Sequence, residues 1–385
     1  MRAMSQRAEV HLLLELSPEQ RVSSMFGEMG LDERAGVHSA EAALRGGYLA
    51  EAVPFLSKLA SFDLVVHTSP RALSLDALRT GMAAAARIWA LRPDVLHIEE
   101  ESSRSVPLFF LTPAVPKLLA IHDAQPHPGE RVGRGAMVRR LVLPCVSHLL
   151  FYSQYSRDVF FGRTRNRPSS VVPLGIREIF RELPGPDSVE HDPSLLFFGR
   201  IAPYKGLEIL YSALPRIARR VPRLRVVVAG RPGGGYQPPE PPSLPSDTEF
   251  ITRFETIDNA TLRRLFQEAS IVVVPYVEAS QSGVVQTAYA FGKPVVASAI
   301  GGLREAVRDG VTGRLVPPGD PDALTEAVTQ LLLDVNARAR MREGIRDREE
   351  MEFGWHLIGR QLHAVYEATA AGAQGRAHGS ATYWP

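Results

Sequence analysis

A chain of 385 residues is too long for one ordinary hydrophobic core, and at about 100 to 200 residues per domain it predicts two domains. Hydrophobic residues at 45% and charged residues at 22% exclude a disordered or collagen-like chain. A formal net charge of +2 excludes a strong overall field for nucleic acid, and the single cysteine, Cys145, excludes an intramolecular disulfide and a cysteine-based zinc site, so a reducing, cytoplasmic setting is expected.

The early apolar run at residues 12–14 is too short for a signal-peptide core. No later run reaches the roughly 18 apolar residues of a membrane span, so no crossing is expected. Short runs rich in Val, Ile, Leu and Phe then alternate with segments of helical period, the pattern of parallel sheets covered by helices. Strands are predicted at 11–16, 63–67, 94–98, 117–122, 148–152 and 170–173, in one sheet. The spacing predicts a helix over 75–91 with Leu78, Met82, Ala85 and Ile88 on its buried face. Between residues 175 and 192 the pattern lapses into Pro184, Gly185, Pro186 and Asp187, an exposed connection between domains.

The pattern restarts with strands at 195–198, 224–229, 249–251, 271–275, 295–297 and 314–316, a second sheet. Leu207, Leu210, Leu214 and Ile217 mark its first helix, and Asp258 is an N-cap for a helix ending near Ala269. Residues 231–247, crowded with Pro and Gly, read as a surface loop. The small, polar residues 371–385 read as a disordered tail.

Residues 198–206, Phe-Gly-Arg-Ile-Ala-Pro-Tyr-Lys-Gly, lie between a strand and an amphipathic helix, and strand ends are where such sheets bind ligands. Gly199 permits close backbone approach, Arg200 offers a planar fork for phosphate oxygens, and Lys205 adds a compact cation. Taken alone, the two cations also read as a solvated surface pair. After the strand at 271–275, Glu278 is followed by Ser282 and Gly283 at a helix start, where free N–H groups and the helix dipole favour an anion. Ser282 alone also reads as an ordinary N-cap. Glu278, a carboxylate beside an anion site, is expected to face sugar hydroxyls rather than phosphates.

Taken together, residues 198–206, 275–297 with their Glu-Ala-Ser-Gln-Ser-Gly and Phe-Gly-Lys-Pro-Val-Val-Ala, and the later Gly301-Gly302-Leu303-Arg304-Glu305, Asp309-Gly310 and Pro317-Pro318-Gly319-Asp320 resemble the retaining glycosyltransferases of family 4. The likeness covers roughly residues 147–366, with Trp355 and Tyr366 resembling the closing helix. It implies an α/β chain of GT-B fold, two Rossmann-like domains with parallel sheets facing an interdomain cleft. The expected boundaries are an acceptor-side domain over 1–178, onto which a helix at 355–370 packs back, and a nucleotide-sugar domain over 190–352. The resemblance implies a metal-independent, retaining hexosyltransferase whose donor substrate is a nucleotide diphosphate sugar, with no further cofactor. Arg200 and Lys205 would stabilise the leaving diphosphate, and Glu278 and His122 would position the donor. Gly199, Ser282, Gly283, Val284, Thr287 and Glu305 would border phosphates and ribose, and Phe254 the base.

The chain departs from the family pattern in two places. Thr287 stands where the second of two glutamates is usual, with Glu278 one residue early, and the first strand is followed by Ser17-Pro18-Glu19-Gln20 rather than a glycine-rich turn, Gly46 and Gly47 coming too late. A non-catalytic nucleotide-sugar-binding protein and a sugar-nucleotide epimerase of the same fold are the alternatives. His122, in Ile121-His122-Asp123, resembles the family histidine that touches the donor sugar, while His127 reads as structural. Arg131, Arg134, Arg139 and Arg140, interleaved with Val132, Met137, Val138 and Leu141, form a basic amphipathic stretch that reads as a solvated helix face or as peripheral contact with acidic lipid or a phosphorylated acceptor.

Overall fold

The computed structural model describes all residues except 1–2, 18–34, 41–55, 70, 72–73, 126–132, 183–184, 186, 234 and 380–385. The N-terminal half contains β1 (His11–Leu16), β2 (Gly36–Ser39), β3 (Ser61–Val66), α1 (Leu75–Leu91), β4 (Leu96–Ile98), α2 (Val106–Leu111), β5 (Lys117–Ile121), α3 (Gly133–Val142), β6 (His148–Phe151), α4 (Gln154–Phe161) and β7 (Ser169–Val171). The single predicted sheet is here two hydrogen-bonded pieces. One has the order β1-β3-β2, with the unpredicted β2 antiparallel to β3, and the other is the parallel set β4-β5-β6-β7. The two pieces meet through side chains, Ser102 Oγ donating to Glu15 Oε1 at 3.3 Å. β5 is buried throughout, as expected of a central parallel strand covered on both faces.

The bounds of α1 match the spacing, but its buried face does not. Ala77, Ala84, Ala85 and Ile88 are buried while Leu78 and Met82 are each 48% exposed. The reason is packing distance: a methyl group at Gly81 would lie 3.0 Å from Pro107 of α2, so the face carrying the smallest residues is the one that meets its neighbour.

The C-terminal half follows with α5 (Ile179–Glu182), β8 (Ser194–Phe198), α6 (Leu207–Arg220), β9 (Arg225–Ala229), β10 (Glu249–Arg253), α7 (Asn259–Glu268), β11 (Ile271–Val274), α8 (Gly283–Ala290), β12 (Val295–Ser298), α9 (Leu303–Ala306), β13 (Gly313–Val316), α10 (Pro321–Leu333) and α11 (Val335–Arg348). Its parallel sheet has the order β10-β9-β8-β11-β12-β13. Leu207, Leu210, Leu214 and Ile217 of α6 pack with Leu324 and Val328 of α10 on one face, and Leu262, Phe266, Val285 and Tyr289 form the core on the other. In chain order the sheet reads third, second, first, fourth, fifth, sixth, so the direction of winding reverses between β8 and β11. Ligands bind such sheets in the crevice that this reversal opens at the strand C-terminal ends.

The segment joining the halves is held to the C-terminal half. Glu190 pairs with Lys293 at 2.7 Å and with Arg342 at 2.6 Å, and Asp192 pairs with buried Arg338 at 2.6 Å. A last helix, α12 (Trp355–Gly379), returns to the N-terminal sheet, where Ile358 and Val365 pack on Leu118, Ala120, Leu150 and Val172. Helix continues through residues 371–379, predicted as disordered, although that stretch holds as many glycines as alanines. No helix of the described residues is long and apolar enough to cross a membrane.

Candidate functional site

The loop leaving β8 is built to hold two cations at the crevice. Gly199 has φ +110, a turn of 3-10 helix spans Pro203–Lys205, and Gly206 has φ +68. A Cβ on Gly206 would lie 2.0 Å from the carbonyl oxygen of Pro275, so only glycine lets this loop close on the end of β11. That closure places Lys205 Nζ 3.9 Å from the ring centre of Tyr276 and 4.9 Å from that of Tyr204. The ring faces attract the ammonium, yet burial pushes its pKa down to about 8. Arg200 is exposed, and its Nη2 donates to the Tyr204 hydroxyl at 3.2 Å. The loop after β9, predicted as plain surface, begins by folding over Arg200: Ile201 bridges to Pro232, and a Cβ on Gly233 would lie 2.9 Å from Arg200 Cδ.

Across the reversal point stands the start of α8. Ser282 is its N-cap, Oγ accepting from Val285 N at 3.4 Å, and the first-turn N–H groups of Gly283 and Val284 point out of the helix end. The Val284 side chain abuts Gly199, so the two loops form one wall. Half-buried Glu278 lines a cavity of about 400 Å³ with Tyr155, Arg304 and Pro318. Phe254, just beyond β10, presents a 36% exposed ring at a strand end.

Two residues expected at the ribose have partners within the protein. Thr287 is 4% exposed, and its Oγ1 donates to Gly283 O at 2.8 Å, so its hydroxyl proton is used within α8. Glu305 accepts from the N–H groups of Gln154 and Tyr155, both at 2.8 Å, and so caps α4 of the N-terminal half. Together with the bond from Ser153 Oγ to Ser280 O at 2.9 Å, this cap ties the two halves together.

On the N-terminal side the ends of β4, β5 and β6 bring together Glu99, His122 and Tyr152, of which only His122 was anticipated. Glu99 Oε2 lies 3.0 Å from His122 Nε2 and accepts from the Tyr152 hydroxyl at 2.5 Å, and the Tyr152 ring packs against the imidazole at 4.9 Å. Burial acting alone would raise the Glu99 pKa, but the His122 hydrogen bond, the charge of His97 and the Tyr152 hydrogen bond together outweigh it and hold it at about 2. Burial would likewise lower the pKa of His122, and the bond and charge of Glu99 raise it instead. His122 is thus oriented by a carboxylate and biased toward the imidazolium. The position of Glu99 at a strand end was the available signal for it. Next to His122, Asp123 supports the charge of Lys205 from across the cleft, so both sides act on one space.

The basic stretch separates on inspection. Arg139 is ion-paired with Glu101 and donates to Asp123 O at 3.0 Å, so it is committed within the fold, whereas Arg140, Met137 and Leu141 are exposed. His127, Arg131, Val132, Gly46, Gly47 and residues 18–20 lie outside the described residues, as does the side chain of Arg134.

The geometry gains an independent reference in known proteins. The family model of the group 1 glycosyl transferases matches residues 192–334, the span that holds both loops of the reversal point. Residues 192–334 are a group 1 glycosyl transferase domain. Over 181 residues the chain is 35% identical to a D-inositol 3-phosphate glycosyltransferase of Kribbella flavida, a match that covers 45% of this chain and 42% of that protein. The chain therefore spans less than half the length of this curated relative. Sucrose-phosphate synthase from Thermosynechococcus elongatus superposes with a TM-score of 0.64 at 18% identity, over 96% of this chain and 91% of that one. HepE from Anabaena, in complex with UDP and glucose, superposes with a TM-score of 0.65 at 17% identity, over 93% of this chain and 100% of that one. The fold shared with these structures is GT-B, with the group 1 domain as its C-terminal half.

Proposed function

We propose that the protein is a retaining glycosyltransferase that moves a hexosyl group from a nucleoside diphosphate sugar to a hydroxyl of an acceptor held by the N-terminal half. The observation that carries this reading is the convergence of Lys205, Arg200 and the α8 start at the winding reversal of the group 1 domain. The likeness to a D-inositol 3-phosphate glycosyltransferase and to HepE in complex with UDP and glucose supports it.

The bond between the sugar C1 and the diphosphate oxygen breaks with its electron pair going to the diphosphate, while positive charge grows on the ring. Lys205, Arg200 and the α8 amides meet negative charge that is greater in the transition state than in the bound donor, so they lower the barrier rather than only tighten binding. The acceptor oxygen attacks the face that the diphosphate leaves, and the acceptor proton passes to the departing diphosphate oxygen. His122, held by Glu99, and Glu278 bind the sugar and fix its orientation. The test is transfer from a panel of nucleotide sugars, with the anomeric configuration of the product read by NMR. Retained configuration is expected; an inverted product, or an epimerised nucleotide sugar formed without acceptor, overturns the reading.

The peripheral membrane contact anticipated from the basic stretch is supported by the exposed Arg140, Met137 and Leu141 on one face of α3. Co-sedimentation with phosphatidylglycerol vesicles, lost in R140E, is the expected result. Equal sedimentation with neutral vesicles contradicts it.

A further inference from the structure

One cation at the reversal point has no part in the expected site. Arg177 lies between β7 and α5, on the segment that crosses from the N-terminal to the C-terminal half. Its backbone N–H donates to Gln286 O of α8 at 3.3 Å, so the residue is docked on that helix. Its guanidinium lies against the first helical residue: a Cβ on Gly283 would stand 2.6 Å from Nη2, 2.8 Å from Cζ and 3.1 Å from Nε. The absence of a side chain at Gly283 is what makes room for it.

This placement is unfavourable in the unliganded protein for two reasons. The N-terminal end of a helix carries positive partial charge, so a cation there is repelled where an anion would be attracted. The side chain is exposed to solvent over part of its surface, yet the burial it does undergo lowers the pKa of its guanidinium, with no opposing contribution from a carboxylate. Among the described residues none forms an ion pair or a side-chain hydrogen bond with it. A cation set against a helix N-terminus and lacking a counter-charge in the protein is stabilised by an anionic ligand beyond what water gives it.

We propose that Arg177 is a third cation of the diphosphate site, donating from the interdomain crossing to an oxygen of the nucleoside diphosphate that Arg200 and Lys205 hold from the β8–α6 loop. The inference rests on the donor site proposed above and extends it to a residue outside the group 1 domain match. It also makes the crossing segment part of the ligand shell, so that the diphosphate is held from both strands of chain that meet at the α8 start.

The test compares the parent, R177Q, R177K and K205A by calorimetric titration with UDP and GDP, alongside thermal unfolding of each protein without ligand. A charge-assisted bond of this kind predicts that R177Q weakens the preferred nucleoside diphosphate about tenfold or more, and that R177K recovers part of the loss. Binding of the corresponding nucleoside, which lacks phosphates, is unchanged. Without ligand, R177Q melts at the parent temperature or above it, since an uncompensated charge has been removed. The proposal is overturned if R177Q binds the diphosphate within twofold of the parent while K205A does not, which leaves the donor site standing. It is equally overturned if R177Q fails to fold or melts lower, or loses nucleoside and diphosphate affinity alike, since Arg177 is then structural. A parent that binds neither nucleoside diphosphate overturns this inference and the donor site together.

Discussion

Raising the pH should release the diphosphate before it harms the fold, because the ammonium of Lys205 titrates within the working range. Burial pushes its pKa down to about 8 in the unliganded protein, and only the charged form, present below that value, attracts the diphosphate. The fraction carrying charge falls from about nine-tenths at pH 7 to about one-tenth at pH 9, so the apparent dissociation constant should rise about tenfold across that interval. Binding restores the charged form, so about one proton should be taken up per ligand at pH 9, measurable by calorimetry in buffers of different ionisation enthalpy. K205R stays charged at every pH tested and should flatten the profile, which also separates any titration of the ligand from that of the protein. An affinity that is constant from pH 7 to 9 in the parent, or an equal slope in K205R, refutes the reasoning.

Other expected outcomes concern the clamp on His122 and the tie between the halves. With Glu99 in place, His122 holds its proton to higher pH than a free histidine. The stability this contributes is full below about pH 6.5 and lost as pH rises through the raised value, whereas in E99Q His122 should titrate lower than in the parent; an NMR titration of His122 checks the direction, and an E99Q titration equal to the parent's contradicts it. E305A should remove both acceptors that cap α4 and cost about 0.5–2 kcal/mol in urea unfolding, with E305Q losing less because one oxygen remains; a midpoint unchanged in E305A contradicts the capping role.

The fold was legible wherever burial acts on a local pattern. The valines of β9 and β11 announce a sheet covered on both faces, and the bounds of α1 follow from its spacing. Which face of α1 is buried was not legible, because the close approach of Pro107 to Gly81 is decided by a neighbouring helix. The four residues of β2 are too few to show a period, and their antiparallel pairing with β3 is a tertiary choice. At the site, Arg200, Lys205 and Ser282 were legible because strand ends and helix starts are local features. The capping role of Glu305 was not legible, because a carboxylate at a family position says nothing of the α4 N–H groups it meets 150 residues away. Arg177 carried no signal in sequence, since its meaning comes from the missing side chain of Gly283, more than a hundred residues later.

The central claim is that the reversal point of the group 1 domain binds a nucleoside diphosphate sugar through Lys205, Arg200 and the α8 start. A thermal-unfolding screen of the purified protein against UDP-, GDP-, ADP- and dTDP-sugars tests it most directly, because a ligand at a hundred times its dissociation constant adds about 2.7 kcal/mol of apparent stability. The account predicts a clear upward shift with one donor, matched by its nucleoside diphosphate and abolished in a K205A/R200A double variant. A shift that survives the double variant, or the absence of a shift with every donor at millimolar concentration, contradicts it.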